Sequence, residues 1–411
     1  MRIPPVVVLG VALLAIDAVA VAQTETILYN FGTSPYDGSA PYAGLVFGPE
    51  GTLLGTTTTG GHYSGGTVFQ LSRDGAGIWI ETNPYDFRYG DLWSPYAGLT
   101  LSPSGELYGA ASDDAPLILG AIYELIPAAG GGWTEDTIFR FPDGGYSGAH
   151  PSNNLILDAS GNLYGTAEGG LNDGGVVFEL TANDDRLAYR VLYNFASPFG
   201  GGVGAWAPAS ALVFDSAGNL YGMTDYGGTD DNGTVYKLAP QPDGQWTQSI
   251  LYDFNNNGNS FQLVGGLTMD ASGNLYGTTA YGGAYGSGMV FELAHNETRG
   301  WSERTLHSFG RGEDGAEPAS TLIFDASGNL YGTTLGGGGA YGGGTVFEIQ
   351  PTAGGNWTEK ILYSFNASGF GFDHDGFEPY AGLILDSAGN LYGTTVRGGR
   401  YGGGTVFEIT P

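Results

Sequence analysis

Four acidic side chains stand where a repeated stretch of this sequence departs from its own pattern. Aligned on a Tyr-Gly-Thr-Thr core, the next residue in successive copies is Thr58, Ser112, Glu168, Asp225, Ala280, Leu335 and Val396. The second copy replaces a glycine-rich loop with ASDDAPLILGAIYEL and so adds Asp113 and Asp114. Carboxylates that face each other across a cleft can protonate a glycosidic oxygen and activate a nucleophile, their separation deciding retention or inversion. If the chain is an enzyme, Glu168, Asp225 and Asp113 are the groups expected to do that work, in a polysaccharide hydrolase or lyase. Without catalysis, Asp113, Asp114, Glu168 and Asp225 form a ligand-binding face with Tyr226, Tyr281 and Arg397. The last copy sets Arg397 and Arg400 opposite the acidic copies. The plain alternative is a set of solvated loop carboxylates. No Ser-His-Asp or Cys-His arrangement is present and no motif fixes a nucleophile or base, so binding is favoured over chemistry.

Other residues that invite a chemical reading are weaker. Asp373, His374 and Asp375 lie together before the last copy, but their spacing is no zinc signature, and a metal there would need ligands from elsewhere. His62, His150, His295 and His307 share no repeat position. The Asp-x-x-Gly-Asn turns have one carboxylate with turn chemistry, which is not an oxygen cage; no metal is expected, and calcium is the cation such acidic loops would accept. Tyr36, Tyr42, Tyr63, Tyr96, Tyr281, Tyr285, Tyr341, Tyr380 and Tyr401 suit stacking on sugar rings, and equally suit packing between repeated units.

These side chains are carried by one supersecondary unit repeated seven times, with cores at 53, 107, 163, 220, 275, 330 and 391. Each unit reads as four strands. In the sixth copy they are TLIFD, NLYGTT, GTVFEI and WTEKILYSF. Nearly continuous apolar runs require burial on both faces of each sheet. The chain opens at 24–31 with TETILYNF, a fourth strand, and closes at 404–409 with GTVFEI, a third. The two ends therefore complete one blade. The expected fold is all-β, a single seven-bladed β-propeller of four-stranded blades over 23–411, its ring closed by the N-terminal strand pairing with the C-terminal blade. Trp133, Trp246, Trp301 and Trp357 open fourth strands and belong on the outer rim.

Acidic residues number 42 against 13 basic, a formal charge of −29, which excludes nucleic acid as a partner. Cysteine is absent. Residues 1–22 have Arg2, an apolar run at 6–16 and Ala20-Val21-Ala22, and read as a secretory signal peptide. The expected product is a monomer, secreted, periplasmic or at the cell surface, with no membrane insertion after cleavage and an extracellular glycan or a protein as partner. The LYGTTxxGGxxGxGTVFEL repeat, preceded by DGxxPxxGL, resembles the Gloeobacter–Verrucomicrobia (GloVer) repeat of the choice-of-anchor tandem repeat proteins. The resemblance spans 24–411. It implies a bacterial exported protein and carries over no catalytic residues. Members are named for C-terminal anchors, and none is expected after the last strand.

Overall fold

The computed structural model describes residues 24–410 except 89–91, 115–118, 129–131, 143–146, 184–185, 197–203, 209, 255–261, 264, 297, 299, 340–341 and 368–374. The leader expected over 1–22, and Tyr341, Asp373 and His374, lie outside the described residues. Among these the strands form seven antiparallel sheets of four, and in blades four and six the preceding loop adds a fifth segment. Within each blade the order is sequential, except in the seventh. There Thr24–Asn30 takes the outermost place against Thr405–Thr410, in a register from Thr24↔Thr410 to Asn30↔Thr405. The chain ends thus interlock, and the expected seven-bladed ring is the structure observed.

The repeat explains how blades join. At the end of each fourth strand, within one residue of its last, stands a phenylalanine with at most 1% exposure: Phe31, Phe87, Phe141, Phe195, Phe254, Phe309 and Phe365. Each meets an aromatic ring on the next blade's third strand edge-on, for example Phe31 on Phe69 at 4.9 Å and Phe365 on Phe407 at 5.1 Å. Edge-to-face pairs are worth about 0.5–1.5 kcal/mol beyond their buried area. The glycine of Leu-Tyr-Gly lies against the same third-strand ring: a Cβ at Gly55 would come within 2.6 Å of Phe69 Cζ. The core is therefore not central; it is seven layers between blades, as in the cluster joining Leu53 and Phe69 to Tyr392 and Val406.

Backbone bonds complete the joints, and in five of them a threonine adds its own. Thr56, Thr166, Thr278, Thr333 and Thr394 donate their hydroxyls to carbonyls on the next blade's inner segment, Thr394 reaching Ala43 at 3.1 Å across the closure. Just ahead of each inner strand lies a left-handed residue that is not glycine: Ala40, Ser94, His150, Ala207, Gln262, Glu317 and Glu378, with φ between 46° and 67°. In six of these joints the residue's N–H donates to the preceding blade's third-strand loop, as Ala40 does to Gly403 O at 2.8 Å. The left-handed state costs an L-residue about 1–2 kcal/mol, which the joint offsets.

The Asp-x-x-Gly-Asn turns are structural. Asp158 Oδ1 accepts from the N–H of Ser160 and Asn162, and its Oδ2 from Asn162 Nδ2 at 2.7 Å and Tyr164 Oη at 3.2 Å. Asp215, Asp270, Asp325 and Asp386 repeat the pattern. These donors occupy the carboxylates that a calcium ion would need. Trp133, Trp246, Trp301 and Trp357 begin or nearly begin outermost strands, as their rim position required.

Candidate functional site

The inner strands surround an axial channel lined from all seven blades by small residues, among them Gly44, Gly266, Ala319 and Gly382. Its mouth is asymmetric. The residue after the blade-entry proline is tyrosine in blades seven, one and two: Tyr380, Tyr42 and Tyr96. Their rings pack together over the axis, Tyr42 lying 5.3 Å from Tyr96 and 5.7 Å from Tyr380. The corresponding residue is Ser152 in blade three and Ala319 in blade six. Among the described residues, aromatic rings fill the mouth on the side of blades seven, one and two, and the half facing them is open.

The open half is a cavity of about 430 Å³ that the three tyrosines share with His150, Ser152, Asn153, Thr166, Glu168, Asp225 and Tyr226. The structure thus brings together Glu168, Asp225 and Tyr226 from the sequence-derived set. Glu168 is exposed, and its backbone bridges Ala149. Asp225 is half-buried, and its Oδ1 accepts from the N–H of Leu263 at 3.1 Å. Six of the seven blades have proline where Leu263 stands, namely Pro41, Pro95, Pro151, Pro208, Pro318 and Pro379. A proline has no N–H to give. The half-buried carboxylate at a second-strand end thus faces the one joint that offers a backbone donor. Burial pushes the Asp225 carboxyl up to about 6, against the pull of the Leu263 N–H. Tyr380 is raised too, by burial first and then by the charge of Asp225.

Tyr226 stacks on Trp206 with centroids 4.4 Å apart and planes 15° from parallel, and stays 45% exposed. Trp206 pairs with Tyr226 across strands Trp206–Pro208 and Leu220–Tyr226, and its Nε1 donates to Asp231 Oδ1 at 3.1 Å. The pair offers a flat aromatic surface beside two carboxylates. Sequence reading missed Trp206 because it lies in the blade-entry loop, where copies differ most. The signal was there: GAWAP against the GSAP of the first copy.

The remaining expected residues lie elsewhere. Arg397 pairs with Glu378 at 3.3 Å, Arg400 lies over Tyr401, and neither lines the cavity. Tyr281 is half-buried at the start of the fifth blade's glycine loop and does not line it. The backbone of Asp113 and Asp114 forms a two-residue ladder with Leu92–Trp93, and their side chains lie outside the described ones. Among the described side chains the acidic site belongs to blades three and four, and blade two contributes Tyr96.

The family model described as the Gloeobacter/Verrucomicrobia repeat matches residues 18–205, 120–309 and 208–411. No curated protein matches the chain. Among solved structures, an ancestral GH74 enzyme superposes with a TM-score of 0.58 at 11% identity, over 95% of this chain and 51% of its own, so this chain spans about half of that one. A putative oxidoreductase (glucose dehydrogenase) from Thermus thermophilus gives a TM-score of 0.42 at 18% identity, over 78% of this chain and 97% of its own. The first of these likenesses concerns the fold alone.

Proposed function

We propose that this chain, which belongs to the Gloeobacter/Verrucomicrobia repeat family, is an exported carbohydrate-binding propeller that takes a glycan at the open half of its mouth. The observation that carries the reading is the Trp206–Tyr226 stack at the edge of a cavity holding Glu168 and Asp225. A sugar's C–H face packs on an aromatic plane while its hydroxyls donate to carboxylates. The three mouth tyrosines shield the deep end from water, which strengthens each polar contact made there. The ancestral GH74 enzyme shares the propeller architecture; at 11% identity that likeness supports the fold, and the ligand class rests on the site alone.

Calorimetric titration of the mature protein with a panel of soluble oligosaccharides tests this. At least one glycan binds, and Trp206→Ala or Tyr226→Ala weakens it about tenfold, as loss of a stacking contact worth about 1.4 kcal/mol requires. No binding across the panel, or equal affinity in both variants, rejects the site. One observation favours cleavage as a second reading: a carboxyl raised to about 6 shares the cavity with an exposed carboxylate, which is the division of labour between a general acid and its partner. Release of reducing ends or unsaturated products from the bound glycan, lost in Asp225→Asn at glycan concentrations that still saturate the weakened site, would establish it.

A further inference from the structure

The boundaries between blades repeat a second cluster, on the outer side, away from the mouth. Each fourth strand has an aromatic residue two positions before its buried phenylalanine: Tyr29, Tyr85, Phe139, Tyr193, Tyr252 and Tyr363, with His307 taking the place once. Between blades seven and one, Tyr29 Oη donates to Asp37 Oδ2 at 3.1 Å, and Glu81 comes in from the next fourth strand. The same Oδ2 accepts from the N–H groups of Gly32 and Thr33 and from Thr33 Oγ1. Between blades six and seven, Tyr363 Oη donates to Asp375 Oδ2 at 3.2 Å beside Glu25. Neutral donors thus hold the aspartate at both boundaries.

Between blades five and six the cluster changes character. His307 Nε2 lies 3.0 Å from Asp314 Oδ2, and Glu359 supplies a carboxylate oxygen, all three ligand atoms within 4.8 Å of one another. The Asp314 side chain is 6% exposed. Among the described residues its Oδ2 has His307 alone in place of the four donors around Asp37 Oδ2. Glu359 Oε1 is buried without a hydrogen-bond partner, as Glu25 Oε1 and Glu81 Oε1 are at the other two boundaries. One tyrosine-to-histidine replacement turns a hydrogen-bond donor into a nitrogen ligand beside two carboxylates.

We propose that His307, Asp314 and Glu359 bind a divalent transition-metal cation of the zinc type, which ties blade five to blade six. One imidazole nitrogen and two carboxylate oxygens suit a borderline ion, with water as the fourth ligand. Donors about 2.05 Å from a tetrahedral zinc stand about 3.3 Å apart. Nε2 and Oδ2 are already near that separation, and a swing of the Glu359 side chain closes the third side. His307 retains 21% exposure, which gives the ion a route from solvent. The competing arrangement is a bare His307–Asp314 ion pair, with Glu359 Oε1 left as Glu25 Oε1 and Glu81 Oε1 are at the sister boundaries.

The test uses zinc on the whole mature protein stripped with EDTA and dialysed back against a small excess of metal. Elemental analysis reads one zinc per chain, and thermal unfolding shifts upward by several degrees, since a ligand that binds only the folded state stabilises by mass action. His307→Tyr installs the residue of the sister boundaries, so it keeps the fold, and it loses both the zinc and the shift. Glu359→Gln loses most of the affinity and serves as the second variant should the first misfold. Equal zinc in wild type and His307→Tyr would mean that zinc sits on other carboxylates of this acidic chain, and zero zinc in wild type would mean no site; either result overturns the proposal.

Discussion

Asp225 gives the mouth its chemical character and carries a cost. Its ordinary value of 3.8 is raised to about 6, chiefly by burial. An acid raised on folding holds its proton more tightly in the native state than in the unfolded chain. Stability from this group is therefore fully present below 3.8 and is lost as pH rises through about 6. Above that, the native state holds a partly desolvated charge, at a cost on the order of 1–3 kcal/mol. Asp225→Asn is expected to leave the melting temperature unchanged at pH 4 and to raise it at pH 8, while glycan affinity falls. A variant equally stable to wild type at pH 8 would mean that the carboxylate carries no desolvation burden. Glu168 and Asp225 were legible in the sequence because they break a sevenfold pattern. Leu263 was not, for its role is to be a residue other than proline, 38 positions away on the next blade.

Seven copies of one unit made the blades and their order readable, because both-face burial and tight turns leave a strong periodic signature. Ring closure was readable because the first strand has the sequence of a fourth strand with no third strand before it. The joints were less so. Left-handed residues at Ala40, Ser94 and their counterparts have no common side chain, and nothing in their composition announces a positive φ. Closure itself has a consequence. Deleting residues 24–31 removes the outer strand of blade seven, Phe31 with its contact to Phe69, and the Phe31 N–H bond to Gly404 O. The strand Thr405–Thr410 would then expose an unpaired edge. Size-exclusion chromatography and thermal unfolding are expected to show aggregation or a melting temperature lower by roughly 10 °C or more; a monomer that melts like wild type would refute interlocked closure.

The molecule's many carboxylates pull its pH response in opposite directions. In the turns, partial burial works to raise Asp158, Asp215, Asp325 and Asp386, and their hydrogen bonds outweigh it, so they end below the ordinary value. Such groups stabilise above 3.8 and fail in stronger acid. At the blade boundaries, Glu25 is raised to about 7 by burial and then by Asp375, and Glu81 to about 7 by burial and then by Asp37 and Asp86. Their contribution is fully present below 4.5 and is lost as pH climbs to about 7. In the presence of EDTA, the melting temperature is expected to peak near pH 4–5, fall toward pH 7 and level off above it. Glu25→Gln with Glu81→Gln flattens that fall; a melting temperature that rises from pH 4.5 to 7 contradicts the assignment. The left-handed joints bear on how such a ring diversifies. Their bonds run through the main chain, so alanine, serine, histidine, glutamine and glutamate all occupy the same place. His150 and Ala207 show that this place can reach the mouth. Selection can therefore rewrite recognition one blade at a time, without asking the neighbouring blade to adapt.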